Sequence, residues 1–174
     1  MGAARMMPLL VGLAASLIAS AAAAACDLAS CTCDGVDLSG MKGKVYQAPT
    51  DAEGYAYKIS MCSEIPTAQL PAGCQLPAAG CKHSAVVKYK ANNPADCIEI
   101  GSVGPCPQGQ GLCGMAGAKT SAGVTVTYTY TNGCKNTFTL SLTPGSDAEP
   151  GVVTSNECAY TVTWAGLGGG GGRD

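Results

Sequence analysis

Eleven cysteines and a single histidine set the chemistry open to this 174-residue chain. Thiols at that density either oxidise to disulfides or hold a metal. Cys31-Thr-Cys33 and the lone His83 do not match a zinc-ligand spacing, so disulfides are the expectation and no metal is. One histidine cannot supply a Ser/His/Asp or Cys/His arrangement, and no paired-carboxylate motif stands in its place. Neither catalytic residues nor a cofactor is expected, and His83 reads as an ordinary loop residue. Gly109-Gln-Gly111-Leu-Cys-Gly114 fits the dinucleotide fingerprint by letter. It follows a Pro/Cys-rich loop and opens no helix, which removes the physical basis of the motif. No Asn-x-Ser/Thr acceptor occurs, although Asn132 and Asn156 each precede a cysteine at the third position.

The compartment follows from the first residues. Arg5 is a positive start, Met6 to Ser20 is apolar, and Ala21 to Ala25 offers small residues for signal-peptidase cleavage. Residues 1–25 are therefore expected to be a signal peptide, with an uncleaved signal anchor as the rival reading and acylation of Cys26 as a third. Export makes disulfides the default and places the product in the secretory or endosomal lumen or outside the cell. Ten basic residues against twelve acidic ones, with no basic stripe, give no sign of a nucleic-acid partner. No second apolar stretch spans a membrane, so membrane association is expected only if the N-terminal segment is retained or the chain is truncated. Residues 166–174, with Gly168 to Gly172 followed by Arg173 and Asp174, read as a flexible tail.

The elements between these ends are strands. Tyr55, Tyr57, Ile59 and Met61 alternate with Ala56, Lys58, Ser60 and Cys62, and Ala85 to Tyr89 is a second short strand. Val124 to Tyr130 alternates Val or Tyr with Thr. Asn132-Gly133 then marks a tight turn, and Phe138 to Leu142 returns as the hairpin partner. Cys158, Tyr160, Val162 and Trp164 lie on one strand face, with Ala159, Thr161 and Thr163 on the other. Residues 64–82 and 104–123, rich in Pro, Gly and Cys, read as loops. The expected fold is all-β: a flattened barrel or sandwich of two antiparallel sheets, stapled by disulfides, over residues 26–165.

In order and spacing, Asp37-Leu38-Ser39, Tyr46, Gly54, Tyr57 and Ile59-Ser-Met-Cys62, then Val86-Val87, Ile100-Gly101-Ser102, Tyr130-Thr-Asn-Gly133-Cys134 and Cys158-x-Tyr160-x-Val162-x-Trp164, resemble a mannose-6-phosphate receptor homology domain. The resemblance covers roughly residues 33–165. It implies pairing of Cys134 with Cys158 and of Cys62 with Cys33 or Cys31. Cys74 and Cys81 could close a local loop, and an odd count leaves one thiol over.

Lectin members of that family hold mannose with a glutamine, an arginine, a glutamate and a tyrosine, groups suited to adjacent sugar hydroxyls. By resemblance Tyr160 stands at the tyrosine position, Glu149 within one residue of the glutamate, and Lys88 at the glutamine. The arginine position falls near Asn136 or Thr137, with Lys135 beside it, and an ammonium is no substitute for a guanidinium fork. Each has a plainer reading: Tyr160 as core, Lys88 and Lys90 as a solvated face, Glu149 as a loop acid, Trp164 as packing. Two functions follow as expectations. One is a sorting domain acting through a lumenal protein, slightly favoured because the mannose site is degenerate. The other is a lectin for a glycoprotein glycan carrying mannose or phosphomannose. A lectin requires Lys88, Lys135 or Asn136, Glu149 and Tyr160 to converge on one pocket.

Overall fold

A computed structural model describes residues 23–75, 83–104, 113–132 and 134–168. The expected signal segment lies outside them up to residue 22, as do Cys81, Cys106 and residues 169–174 of the tail.

The chain is all-β, as its periodicities require. Twelve strands are described: β1 (Ala24–Ala25), β2 (Thr32–Cys33), β3 (Val36–Asp37), β4 (Val45–Ala48), β5 (Tyr55–Ser60), β6 (Ser84–Lys90), β7 (Asn93–Ser102), β8 (Gly114–Thr120), β9 (Gly123–Asn132), β10 (Cys134–Pro144), β11 (Thr154–Asn156) and β12 (Ala159–Leu167), with one short helix, α1 (Ala72–Gln75). Ten strands form a single curled half-barrel sheet ordered β11-β12-β10-β9-β7-β6-β5-β4, and β8 branches from β9 to carry β1. The small second sheet is the β2–β3 pair. Among the described residues the expected all-β, disulfide-stapled fold thus takes the form of one large sheet curled into a half-barrel with a small second sheet beside it.

The Val/Tyr/Thr alternation gives the β9–β10 hairpin, in register from Val124↔Leu142 to Asn132↔Cys134. β12 then lies against β10 in parallel, with Phe138↔Tyr160, Leu140↔Val162 and Leu142↔Trp164 as rungs. All six side chains are buried, so these rungs form one wall of the core. A parallel neighbour cannot follow a tight turn; residues 145–158 make the crossover, and β11 pairs antiparallel to the far side of β12. Across the curl, Tyr57 of β5 meets Phe138 and Tyr160, with ring centroids 6.4 and 6.1 Å apart.

One expected loop is a strand. β8 occupies 114–120 within the expected loop 104–123, where Gly, Ala and Met alternate too weakly to signal it. Its small residues have a packing role. A Cβ on Gly117 would stand 2.6 Å from Cys33 Cβ and 3.2 Å from Cys26 Sγ, so the Cys26–Cys33 disulfide needs glycine beneath it.

The disulfides decide one open pairing and revise another. Cys134 bonds Cys158 at the start of the parallel β10–β12 pair, and Cys62 bonds Cys31, leaving Cys33 for Cys26. Cys74 bonds Cys97 of β7 and not Cys81, because α1 folds back over β7 and sets the two Cα atoms 5.5 Å apart. Cys113 is disulfide-bonded as well.

The segment 63–75, containing a 3-10 turn at Thr67–Gln69 and α1, straps the outer face of β5, β6 and β7. Ile65, Leu70 and Cys74 pack there on Val87, separate from the main core. Replacing Gly117 by alanine is expected to destabilise the oxidised protein by about 1–3 kcal/mol through forced displacement of Cys33. A urea-unfolding series reads this directly, and an unchanged midpoint would mean that the disulfide does not press on β8.

Candidate functional site

Lys88, the residue at the family's glutamine position, lies on β6 opposite Tyr57 of β5, and Lys90 lies opposite Tyr55. Directly paired residues share a face, so two lysines and two tyrosines form one patch. The Lys88 ammonium sits 3.9 Å from the Tyr55 ring centroid and 5.1 Å from that of Tyr160; the Lys90 ammonium is 3.7 Å from Tyr55. Lys90 Nζ also donates to Glu53 O (2.9 Å). These are cation–π contacts, with Tyr55 serving both lysines.

Asp51 organises the end of this patch. Its Oδ1 accepts the backbone N–H groups of Glu53 (3.0 Å) and Tyr55 (2.8 Å), and its Oδ2 accepts the Tyr57 hydroxyl (2.6 Å). Partial burial would raise the Asp51 carboxyl, but the Tyr57 hydroxyl, the two N–H groups and the nearby Lys88 charge outweigh it and hold it below the usual range. The Tyr57 phenol is pushed well above its ordinary value, by burial first and by Asp51 second; burial raises Tyr160 too. Both phenols therefore stay protonated across the physiological range.

Tyr160 is only 4% exposed, its ring wedged against Tyr57 and covered by Lys88. Asn136 is also buried, at 2%, on the same face of β10 as Phe138, and its Nδ2 donates to Cys134 O (3.5 Å). The structure thus brings Lys88, Tyr160 and Asn136 to one end of the β10–β12 wall. Lys135 is exposed on the other face of β10.

Glu149 goes elsewhere. Its loop is tied to the far end of β12, where Asp147 N donates to Ala165 O (2.9 Å) and Gly151 N to Thr163 O (3.1 Å). The sequence offset that brought Glu149 near the glutamate position could not show which end of the strand its loop would follow. At that end lies a cleft of about 630 Å³ bounded by Asp37, Ser39, Lys44, Tyr46, Asp147 and Trp164. Trp164 forms its buried back wall, edge-on to Tyr46 at 4.5 Å and donating Nε1–H to Asp147 O (2.8 Å).

Sequence reasoning missed Asp51, Tyr55 and Tyr57 as one unit. The available signal was an aspartate just before a strand, where its carboxylate can cap the turn that starts it. Among the described residues no group of three or more His, Cys, Asp or Glu could hold a metal ion. The patch consists of ammonium groups held over tyrosine rings and a Tyr57 hydroxyl that donates to Asp51.

The Tyr57–Asp51 bond generates a test. Tyr57→Phe should cost about 1–3 kcal/mol, since it strips a partly buried carboxylate of its shortest bond. A carboxyl held low stabilises the fold above its ordinary value near 3.8 and loses that contribution as pH falls through the lowered one. Unfolding midpoints from pH 6 down to pH 2.5 should therefore fall less steeply in Tyr57→Phe than in the native protein; parallel curves would remove Asp51 from the account. No family model matches this chain, and no curated protein does either.

Proposed function

We propose that this chain is a non-catalytic, disulfide-stapled domain of the mannose-6-phosphate receptor homology type, acting in the secretory or endosomal lumen or outside the cell. In this reading it sorts or retains its partner through protein contacts, and its mannose site is degenerate. The observation that supports this most is the position of Lys88: its ammonium lies over the buried ring of Tyr160, where a sugar would have to approach. The placement of Glu149 at the opposite end of β12 supports it too, because a mannose ring cannot be gripped from both ends of a nine-residue strand. Eight described cysteines paired in four bridges, with Cys113 bonded besides, fit an oxidising compartment.

One feature favours the lectin reading instead. Lys88 lies over Tyr160, and Asn136 immediately precedes the Thr137↔Ala159 rung on the face of Phe138, so a swing of Lys88 would expose a tyrosine at the end of the wall that carries an amide. The two readings separate in one experiment: titration of the oxidised protein with mannose-terminated and phosphomannosyl glycans, with Tyr160→Phe as control. The expected result is no saturable binding up to millimolar glycan. Saturable binding that Tyr160→Phe abolishes would establish the lectin.

A further inference from the structure

One bridge of the fold joins two acceptor motifs. Asn132-Gly133-Cys134 and Asn156-Glu157-Cys158 each place an asparagine two residues before a cysteine, and Cys134 and Cys158 are the two ends of a single disulfide. Asparagine glycosylation needs a hydrogen-bonding group at the second residue after the acceptor, normally the hydroxyl of Ser or Thr. A cysteine thiol is a weak donor and a weak acceptor and can take that part; a disulfide sulfur has lost its hydrogen and cannot. Closing Cys134–Cys158 therefore removes both acceptors together.

The two asparagines differ in setting. Asn132 stands at the end of the β9–β10 hairpin, opposite Cys134 itself. Asn156 ends β11, the last strand of the sheet, which pairs with β12 alone. It lies opposite Ala159, and Thr154 lies opposite Thr161; all four are exposed, whereas Ser155 is opposite buried Tyr160. Directly paired residues share a face, so Asn156 points away from the core. The chain turns back at once: Glu157 takes a φ of 52° and Cys158 goes to its bridge, which leaves Asn156 at the tip of a tight hairpin. This edge also leaves something to cover. Among the described residues no strand lies on the outer side of β11, and Val152, two residues before it, is 55% exposed.

We propose that Asn156 is an N-glycan acceptor, modified on the nascent chain while the Cys158 thiol is still reduced, and that closure of the Cys134–Cys158 bridge ends its competence. This rests on the lumenal reading, since the sugar donor and the oxidant both belong to that compartment. In the transfer the Asn156 amide nitrogen attacks the anomeric carbon of an oligosaccharide held on a lipid diphosphate. The carbon–nitrogen bond forms, the bond from that carbon to the diphosphate oxygen breaks, the lipid diphosphate departs with the electron pair, and the nitrogen gives up one proton. The Cys158 thiol is not consumed, so a glycosylated chain can still close the bridge and carry its glycan at an exposed strand end. A chain oxidised first cannot be modified. Cys134 precedes Cys158 by 24 residues and is waiting when it arrives, while bridge formation takes seconds or longer, so the two events compete and both forms are made. A bulky, hydrated glycan at this position covers the free edge and Val152.

The full-length chain, expressed in a secreting eukaryotic cell behind its own leader and, in parallel, behind a leader known to be cleaved, tests this. Mass is read before and after peptide N-glycosidase, which deamidates the asparagine it frees and so marks the position. The native protein should occur in bare and glycosylated forms, with the mark on Asn156, and Asn156→Gln should abolish the second form. Cys134→Ala, which deletes the Asn132 motif and denies Cys158 its partner, should raise occupancy of Asn156 several-fold; because transfer precedes folding, cell lysate reads this variant whether or not it is secreted. Cys158→Thr, which supplies a hydroxyl, controls for access to Asn156 and should be glycosylated in most molecules. Native and Cys134→Ala chains that stay bare while Cys158→Thr is modified would overturn the proposal. So would a Cys158→Thr chain bare behind both leaders, a mark on Asn132 alone, or equal occupancy in native and Cys134→Ala. Glycosylation of Asn156 only behind the substituted leader would overturn the lumenal reading and uphold the acceptor.

Discussion

The contact on which this fold depends is between strands that are far apart in the sheet. Tyr57 on β5 touches both Phe138 on β10 and Tyr160 on β12, although β9, β7 and β6 lie between them in the strand order. A twisted sheet brings such strands face to face only by curling, and the buried rings fill the space that curling encloses. Tyr128 adds the fourth ring, 6.3 Å from Phe138, with its hydroxyl donating to Ser60 O (3.1 Å). The chain is poor in aromatic residues, at 5%, and commits four of its nine to this one contact set. Disulfides then hold what the core does not reach: the N-terminal segment, the strap, and the mouth of the parallel pair.

That commitment governs what the candidate site can be. A tyrosine that closes a barrel is not free to turn toward a ligand, and Tyr160 is held by Tyr57 on one side and by the ammonium of Lys88 on another. Tyr57 is in turn fixed by Asp51, so the patch is rigid from the turn at 51–55 to the core. The Tyr57 hydroxyl is instead taken by Asp51, and the lysine ammonium groups lie over the Tyr55 and Tyr160 rings, Lys90 donating to Glu53 O as well.

Much of the architecture was legible because it rests on period. The Val/Tyr/Thr alternation over 124–130 and the Cys-x-Tyr-x-Val-x-Trp run are strands in any context that buries one face, and they became β9 and β12. Three features were not legible for definite reasons. β8 runs Gly-Met-Ala-Gly-Ala-Lys-Thr, with Gly117 required by the disulfide above it, and gives no periodic signal. The direction of β12 depends on a crossover and not on its own sequence, so a parallel pairing with β10 could not be read from alternation. The placement of Glu149 is a consequence of that same crossover, which carries its loop to the Trp164 end.

Two β-bulges, an extra residue at Ala85 in β6 and one at Ile100 in β7, explain why a strand pair in the middle of the sheet is buried on both faces. A regular pair would have sent Ala85 outward and kept Glu99 on the inner side with Gly101, placing a carboxyl in the main core. The paired bulges exchange those faces, and the exchange requires something to cover the outer side. The strap does this, which is why a segment without strand periodicity is nevertheless anchored by a hydrogen bond to Ser84 and a disulfide to β7.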